Sequence, residues 1–381
     1  MRRRSGLARR RPAGRDARRG IGPVAVILGT VLVSCAACTS GGTSTTPVSA
    51  ATSASAPAAA TPASTPATTP PGAQTLQQDY ISTIAKVLPS VVEIKTASGL
   101  GSGVVYDTAG HIVTNAHVVG SATAFQVLLS GSASPLPARL TGSYPPDDLA
   151  VIQVTGAAHL VPAHFADSAK LRVGDIVLAM GNPLGLSSSV TDGIISAVGR
   201  TVSEPQEAGS PGATLPDVIQ TSAAINPGNS GGALVNLADE VVGIPTLAAT
   251  DQQLGGAAPG IGFAIPSNVV TDIAGQIVKN GHVTASHRAA LGVSVETVTG
   301  SSGQPAGAGI AAVTPGGPAA KAGLRAGDVI TAINGMATPD TETLAAVLAG
   351  MRPGQQVSVS ITKPDGSTAT VKVTLGQLPG T

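Results

Sequence analysis

Along most of this chain apolar residues come in short runs, and the residues between the runs are Gly, Pro, Ser, Asn and Asp. From residue 91 the runs are Val91–Thr96, Gly103–Tyr106, Ile112–Thr114, Ala124–Leu129, Ala138–Ser143, Ala150–Val154, Ile176–Met180, Ser189–Val198, Val218–Gln220, Ala233–Val235, Val241–Ile244 and Gly262–Ile265. Short β-branched runs bounded by turn residues predict strands, and a dozen of them with no helical pattern between predict a mainly β fold of two packed barrels. Helical spacing appears on either side of this block. Leu76 to Leu88 reads as an amphipathic helix stopped by Pro89. Ser267 to Asn280 reads as a closing helix with Ser267 as N-cap and Gly281 as its stop. A second unit follows near His287, with a strand around Leu291 to Val295, a helix over Thr341 to Leu348 and last strands at Gln356–Lys363 and Ser367–Leu375.

The first 75 residues follow another pattern. Residues 1–20 carry nine arginines and one acid, an apolar run spans Ile21 to Val33, and Ser34-Cys35-Ala36-Ala37-Cys38 closes it with small residues. Basic, apolar, small is the layout of a secretory leader. Leu32-Val33-Ser34-Cys35 also resembles a bacterial lipobox, in which Cys35 is lipidated. An uncleaved anchor stays open, because Ile21 to Cys38 is 18 residues, the short end of what spans a bilayer. Released secretion is the third option, and all three put the remainder outside the cytoplasm, with the arginines inside. Residues 39–75 are Thr, Ser, Ala, Pro and Gly with few large apolar side chains. Such a segment cannot bury enough surface to offset chain entropy and is expected to be a disordered tether. The predicted organisation is a leader or anchor at 1–38, a linker at 39–75, a first globular domain at 76–283 and a second at 286–379.

Composition narrows the function. The net charge is +1 and aromatic residues make up 2% of the 381, so the chain has neither the basic face nor the stacking platform of a nucleic-acid binder. Both cysteines lie in the leader, which leaves the globular part without disulfides or a thiolate metal site. No His pair has helical ligand spacing, so no metal and no cofactor is expected.

The chemistry gathers on Asn226-Pro227-Gly228-Asn229-Ser230-Gly231-Gly232. A serine between glycines suits an activated nucleophile, because glycine permits the tight turn and brings bare N–H groups to the reacting carbonyl. It suits an ordinary surface turn as well, so Ser230 needs partners elsewhere: a base, and a group to orient the base. His117, in Thr114-Asn115-Ala116-His117-Val118-Val119, stands at a strand end. Asp147 and Asp148 stand at the mouth of the run Leu149-Ala150-Val151-Ile152. Neighbours in an extended segment face opposite ways, so one of the two acids faces the histidine, and Asp148, abutting the strand, is the choice. His111 is the rival base. His159, His164, His282 and His287 have no such context and read as surface residues. The order His, Asp, Ser is that of the chymotrypsin architecture, unlike subtilisins or α/β-hydrolases.

With these motifs the chain resembles an HtrA/Deg-type, DegP-like bacterial serine protease with one carboxyl-terminal PDZ domain. The resemblance is carried by Gly101-Ser102-Gly103-Val104-Val105, the stretches around His117, Asp148 and Ser230, Gly181-Asn182-Pro183-Leu184-Gly185, Ile261-Gly262-Phe263-Ala264-Ile265-Pro266 and the long run from Ala311 to Gly335. It covers nearly everything after residue 76. It implies a trypsin-like endopeptidase of the cell envelope that degrades unfolded proteins under stress. Backbone N–H groups of Gly228 and Ser230 are expected to form the oxyanion hole, with Asn229 as a possible third donor. Counting from the nucleophile puts Ala224, with Ile244, in the S1 pocket, uncharged and suited to small aliphatic side chains. Leu291, Gly292 and Val293 occupy the loop that in PDZ domains receives a peptide's terminal carboxylate. The resemblance also implies a homotrimer and control of activity through the PDZ domain. Three positions depart from the pattern: Ser222 where relatives usually have Asp, Asp192 where they often have Ser, and Pro245 where an Asn is common, in a segment expected to pair with substrate. A proteolytically idle chaperone or peptide-sensing PDZ protein remains the alternative.

Overall fold

The computed structural model describes residues 71–97, 99–156, 159–182, 189–204, 213–226, 228–251 and 256–380. The leader, Cys35 and nearly all of the expected linker lie outside them. Among the described residues no helix is long and apolar enough to cross a membrane.

Helix α1 (Pro71–Val87) opens the described chain. It begins five residues inside the stretch expected to be linker, and a proline is compatible with that start because the first helical N–H has no intrahelical partner to lose. Pro89 falls in a short 3-10 turn, Leu88–Ser90, that ends the helix. Strands β1 (Val91–Lys95), β2 (Leu100–Val105), β3 (His111–Thr114), β4 (Ala124–Leu128), β5 (Leu136–Tyr144) and β6 (Leu149–Val154) close into a barrel in the order β1-β2-β3-β6-β5-β4. Its interior is aliphatic, packed from Val92, Ile94, Val105, Ile112, Val127 and Ile152 around Phe125. Alternation does the sorting: Val92 and Ile94 point inward.

The second barrel uses β7 (His164–Phe165), β8 (Ile176–Gly181), β9 (Ser189–Glu204), β10 (Ala213–Thr221), β11 (Ala233–Asn236), β12 (Glu240–Asp251) and β13 (Gly256–Pro266). They run β11-β8-β9-β10-β13-β12-β7, and pairing of β11 with β12 closes the circuit. The two-barrel expectation therefore holds, although a helix of one turn, α2 (Ala116–Val119), interrupts the strands where none was expected. Helix α3 (Ser267–Asn280) lays Val270, Ile273, Ala274 and Ile277 on the core shared by the barrels, and Gly281, left-handed at φ 78°, ends it. Ser267 is not its N-cap. Pro266 holds that position, and the Ser267 hydroxyl donates instead to the carbonyl of Ala166 at 2.7 Å.

The carboxyl-terminal unit contains β14 (Ala289–Ala290), β15 (Val293–Thr299), β16 (Pro305–Val313), α4 (Pro318–Lys321), β17 (Val329–Ile333), β18 (Met336–Ala337), α5 (Thr341–Ala349), β19 (Gln356–Thr362), β20 (Thr368–Thr374) and β21 (Gly376–Gln377). Its sheet runs β15-β16-β17-β19-β20, with a core of its own around Ile310, Leu324, Ile330, Leu344 and Val359. Asp340 caps α5, accepting from the N–H of Thr343 at 2.7 Å.

Candidate active site

His117 sits on α2, not on a strand end. Four residues are too few to show a helical period, which is why the pattern of the sequence missed the helix. The helix is fixed from the strand side: Asn115, fully buried, donates its side-chain amide to the carbonyl of Asp148 at 3.0 Å, and the N–H of Ala116 reaches the same carbonyl at 3.1 Å. Asp148 answers with both carboxylate oxygens. Oδ1 accepts the backbone N–H of His117 at 2.9 Å, and Oδ2 lies 2.8 Å from His117 Nδ1. A carboxylate accepts, so Nδ1 carries the proton of the neutral ring and the lone pair lies on Nε2.

Asp147 and Asp148 diverge, but not by strand alternation. Asp147 ends a 3-10 turn, and Asp148 adopts a left-handed conformation at φ 50°. A non-glycine residue there costs on the order of 1 kcal/mol, and the bonds converging on Asp148 offset it. Asp147 turns to Arg288, whose guanidinium bonds Asp147 Oδ1 at 2.9 Å, the carbonyl of Thr214 at 2.7 Å and the carbonyl of Pro146. Burial pushes the Asp147 carboxyl above its ordinary range, and the Arg288 charge pulls it part of the way back.

Two residues that sequence reading left unassigned complete the centre. Thr246, buried on β12, donates its hydroxyl to Asp148 Oδ2 at 2.5 Å. Its carbonyl accepts the Ser230 hydroxyl at 3.3 Å, so one threonine touches both ends of the His-Asp-Ser set. Ser102, in the middle of β2, bonds the carbonyls of Ser230, at 3.0 Å, and Gly228, at 2.5 Å. The only advance signal for Ser102 was its place between two glycines in a motif with no role attached.

The Ser230 loop is a run of tight turns. The N–H of Gly232 donates to Asn229 and that of Gly231 to Pro245, at 2.9 and 3.0 Å. Gly231 has φ 80°, and a Cβ there would come within 2.2 Å of the Ser102 carbonyl oxygen, so no other residue fits. Asn229 is not a third oxyanion donor. It is buried, its N–H is bonded to the Asn226 carbonyl at 3.0 Å, and its side-chain amide to that of Ala224 at 3.2 Å. Among the described residues the N–H groups of Gly228 and Ser230 meet no acceptor.

Of the two S1 candidates, Ala224 is exposed beside the loop, its carbonyl also taking the Thr191 hydroxyl at 2.8 Å. Ile244 is a correction: it is fully buried, packed with Leu178, Met180, Leu215 and Ile265 in the core, and offers no exposed side chain to a substrate. Pro245 is buried opposite Ala264 of β13, and its carbonyl accepts the N–H of Gly231 in the Ser230 loop. Ser222 accepts the N–H of Ile194 at 3.0 Å, a structural bond. His111 Nδ1 lies 2.6 Å from Asp107 Oδ2 at the start of β3, paired within its own turn. His287 lies 3.6 Å from Asp272, an acidic neighbour the sequence did not reveal.

In the carboxyl-terminal unit a groove of about 830 Å³ runs between β15 and α5, lined by Leu291, Gly292 and Val293 at one end and by Leu344 and Leu348 along the helix. Pro145, Pro146 and Thr214 of the barrels also border it.

Residues 101–244 match the trypsin-like peptidase domain, and residues 289–375 the PDZ domain. The solved structure of the HtrA-type protease AlgW with a decapeptide superposes with TM-score 0.53 at 32% identity, covering 79% of this chain and 99% of that one. The chain belongs to the HtrA family of serine proteases. A serine endoprotease from Yersinia pestis aligns with TM-score 0.52 at 32% identity over 78% of this chain and 98% of its own. Among curated HtrA relatives, serine protease PepD of Mycobacterium tuberculosis is 39% identical over 77% of this chain and 65% of its own length. Periplasmic serine endoprotease DegP of Escherichia coli is 40% identical over 73% of this chain and 57% of its own length. This HtrA chain thus matches well under two thirds of DegP, and slightly under two thirds of PepD.

Proposed function

We propose that this chain is an extracytoplasmic serine endopeptidase that cleaves unfolded proteins, with Ser230 as nucleophile, His117 as general base and Asp148 as its orienting acid. The observation that carries the reading is the Asp148 carboxylate, which receives both His117 Nδ1 and Thr246, while Thr246 holds the Ser230 hydroxyl. His117 Nε2 takes the proton of Ser230 Oγ as the oxygen attacks the scissile carbonyl carbon. The N–H groups of Gly228 and Ser230 take the negative charge that develops on the carbonyl oxygen. The protonated imidazole then delivers its proton to the leaving amine, and water, deprotonated by His117, releases the acid from the acyl-enzyme. Every proton is moved by one base, so no metal is needed.

The PDZ groove receives extended carboxyl-terminal peptides as an added strand on β15, with the terminal carboxylate at Leu291, Gly292 and Val293. DegP is periplasmic by name, and the basic-apolar-small leader of this chain suits export to the same side of a membrane, with Cys35 as lipid attachment point.

Cleavage of casein by the full chain, compared with folded proteins of similar size, tests the substrate class. Preferential loss of casein supports it, and indifference to folding contradicts it. Fluorescence anisotropy with a labelled peptide ending in small aliphatic residues tests the groove. Binding is expected with a free terminal carboxylate and loss on amidation; equal binding of both forms contradicts the carboxylate reading.

A further inference from the structure

Ser102 is fully buried, and each of its hydrogen-bonding groups is used around the nucleophile loop. Its N–H donates to the Ser230 carbonyl at 3.0 Å, and its hydroxyl donates to the Gly228 carbonyl at 2.5 Å. The same hydroxyl accepts the N–H of Asn182 at 2.8 Å, and the Ser102 carbonyl accepts the Thr114 hydroxyl at 2.7 Å. One residue of the first barrel therefore grips the carbonyls on both sides of Asn229, in a loop that belongs to the second barrel. Its neighbours are glycines for want of room: a Cβ on Gly101 would meet Val118 at 2.5 Å, and one on Gly103 would meet Ile112 at 2.5 Å.

Gly228 has φ 106°, a conformation open to glycine and strained for other residues, so sterics alone do not hold its peptide planes. A hydrogen bond must do so. With the carbonyl of Gly228 tied to Ser102 and the N–H of Asn229 tied to Asn226, the plane between Gly228 and Asn229 is fixed at both edges. The N–H groups of Gly228 and Ser230, on the peptide planes to either side of it, meet no acceptor among the described residues and are ready for a developing oxyanion. We infer that Ser102 is a positioning residue for the oxyanion hole, its hydroxyl holding the Gly228–Asn229 peptide that lies between the two N–H donors. The inference rests on the reading of Ser230 as nucleophile. A hydroxyl suits the position because it donates and accepts at once; Ala would orphan the Gly228 carbonyl and the Asn182 N–H together.

The test compares full-chain wild type with Ser102→Ala, Ser102→Cys, Ser267→Ala and Ser230→Ala. Ser267→Ala removes another buried hydroxyl-to-carbonyl bond, far along the chain on α3, and controls for lost stability. Steady-state cleavage of a fluorogenic peptide, its pH profile, and the rate of phosphonylation by a fluorophosphonate are measured with thermal unfolding. Ser102→Ala is expected to lower kcat and the phosphonylation rate together by about 10- to 100-fold, somewhat less than loss of a direct oxyanion donor. KM and the acid limb of the pH profile stay where they are, because neither groove nor His117 changes. Ser102→Cys, similar in shape and a weak donor, falls between, and Ser267→Ala loses stability while keeping kcat. Wild-type rates in Ser102→Ala, or an equal kcat loss in Ser267→Ala, would overturn the inference. Failure of the fluorophosphonate to label wild type at Ser230 would overturn the nucleophile reading, and this inference with it.

Discussion

The hydroxyl of Thr246 lies 2.5 Å from Asp148 Oδ2, the carboxylate oxygen that also receives His117 Nδ1. Two donors on one oxygen hold the carboxylate plane, and through it the imidazole. Replacing Thr246 with Val keeps the shape and removes one donor. We expect kcat to fall by about tenfold with KM little changed, as a positioning loss should, and Thr246→Ser to restore it. A Thr246→Val enzyme with wild-type kcat would show that His117 is oriented without it.

Arg288 is the only described cation within ion-pair distance of the buried Asp147, so removing it strands a carboxylate. Arg288→Met should cost about 3–5 kcal/mol at neutral pH, and adding Asp147→Asn should recover much of that. The pH dependence has a definite sign. Burial already holds the Asp147 pKa above its unfolded value, and losing the guanidinium raises it further. A raised carboxyl pKa favours the fold at low pH, and the advantage is lost as pH rises through the folded value. Urea unfolding should therefore find the Arg288→Met deficit smaller at pH 5 than at pH 7; a deficit that grows on acidification would contradict the pairing.

Asp239 fastens α1 to the second barrel through Lys86 at 2.6 Å and Thr83 at 2.8 Å. These two bonds, Lys86 first, hold its carboxyl below the usual range. A depressed carboxyl pKa contributes stability that is present above the unfolded value and lost as pH falls through the folded one. Amide exchange along α1 should accelerate in Asp239→Asn at pH 7, and wild type should approach the variant once pH falls below the ordinary Asp range. Unchanged exchange in the variant would mean that apolar contacts alone, such as Tyr80 and Ile84 on the core, hold the helix.

What the sequence disclosed and what it hid divide along chain distance. Gly228, Ser230 and Gly231 are neighbours, and the turn they need is written in their types. The barrels were legible because strands of Val and Ile between turn residues advertise themselves locally. The partners of the centre were not. Thr246 is 98 residues from Asp148, Arg288 is 141 from Asp147, and Ser102 is 126 from Gly228. Ile244 shows a different limit. Its position in the chain does not say which face of β12 its side chain takes, and that face proves to be the core. His117 was expected at a strand end because a helix of four residues leaves no period to read.

The central claim is that Ser230 is the nucleophile of a working protease. The most direct measurement is cleavage of casein by the full chain, wild type against Ser230→Ala, prepared and assayed side by side. Loss of the serine from a triad elsewhere lowers kcat by about a millionfold, so the account predicts cleavage by wild type and none above background by the variant. Equal cleavage by both would contradict it.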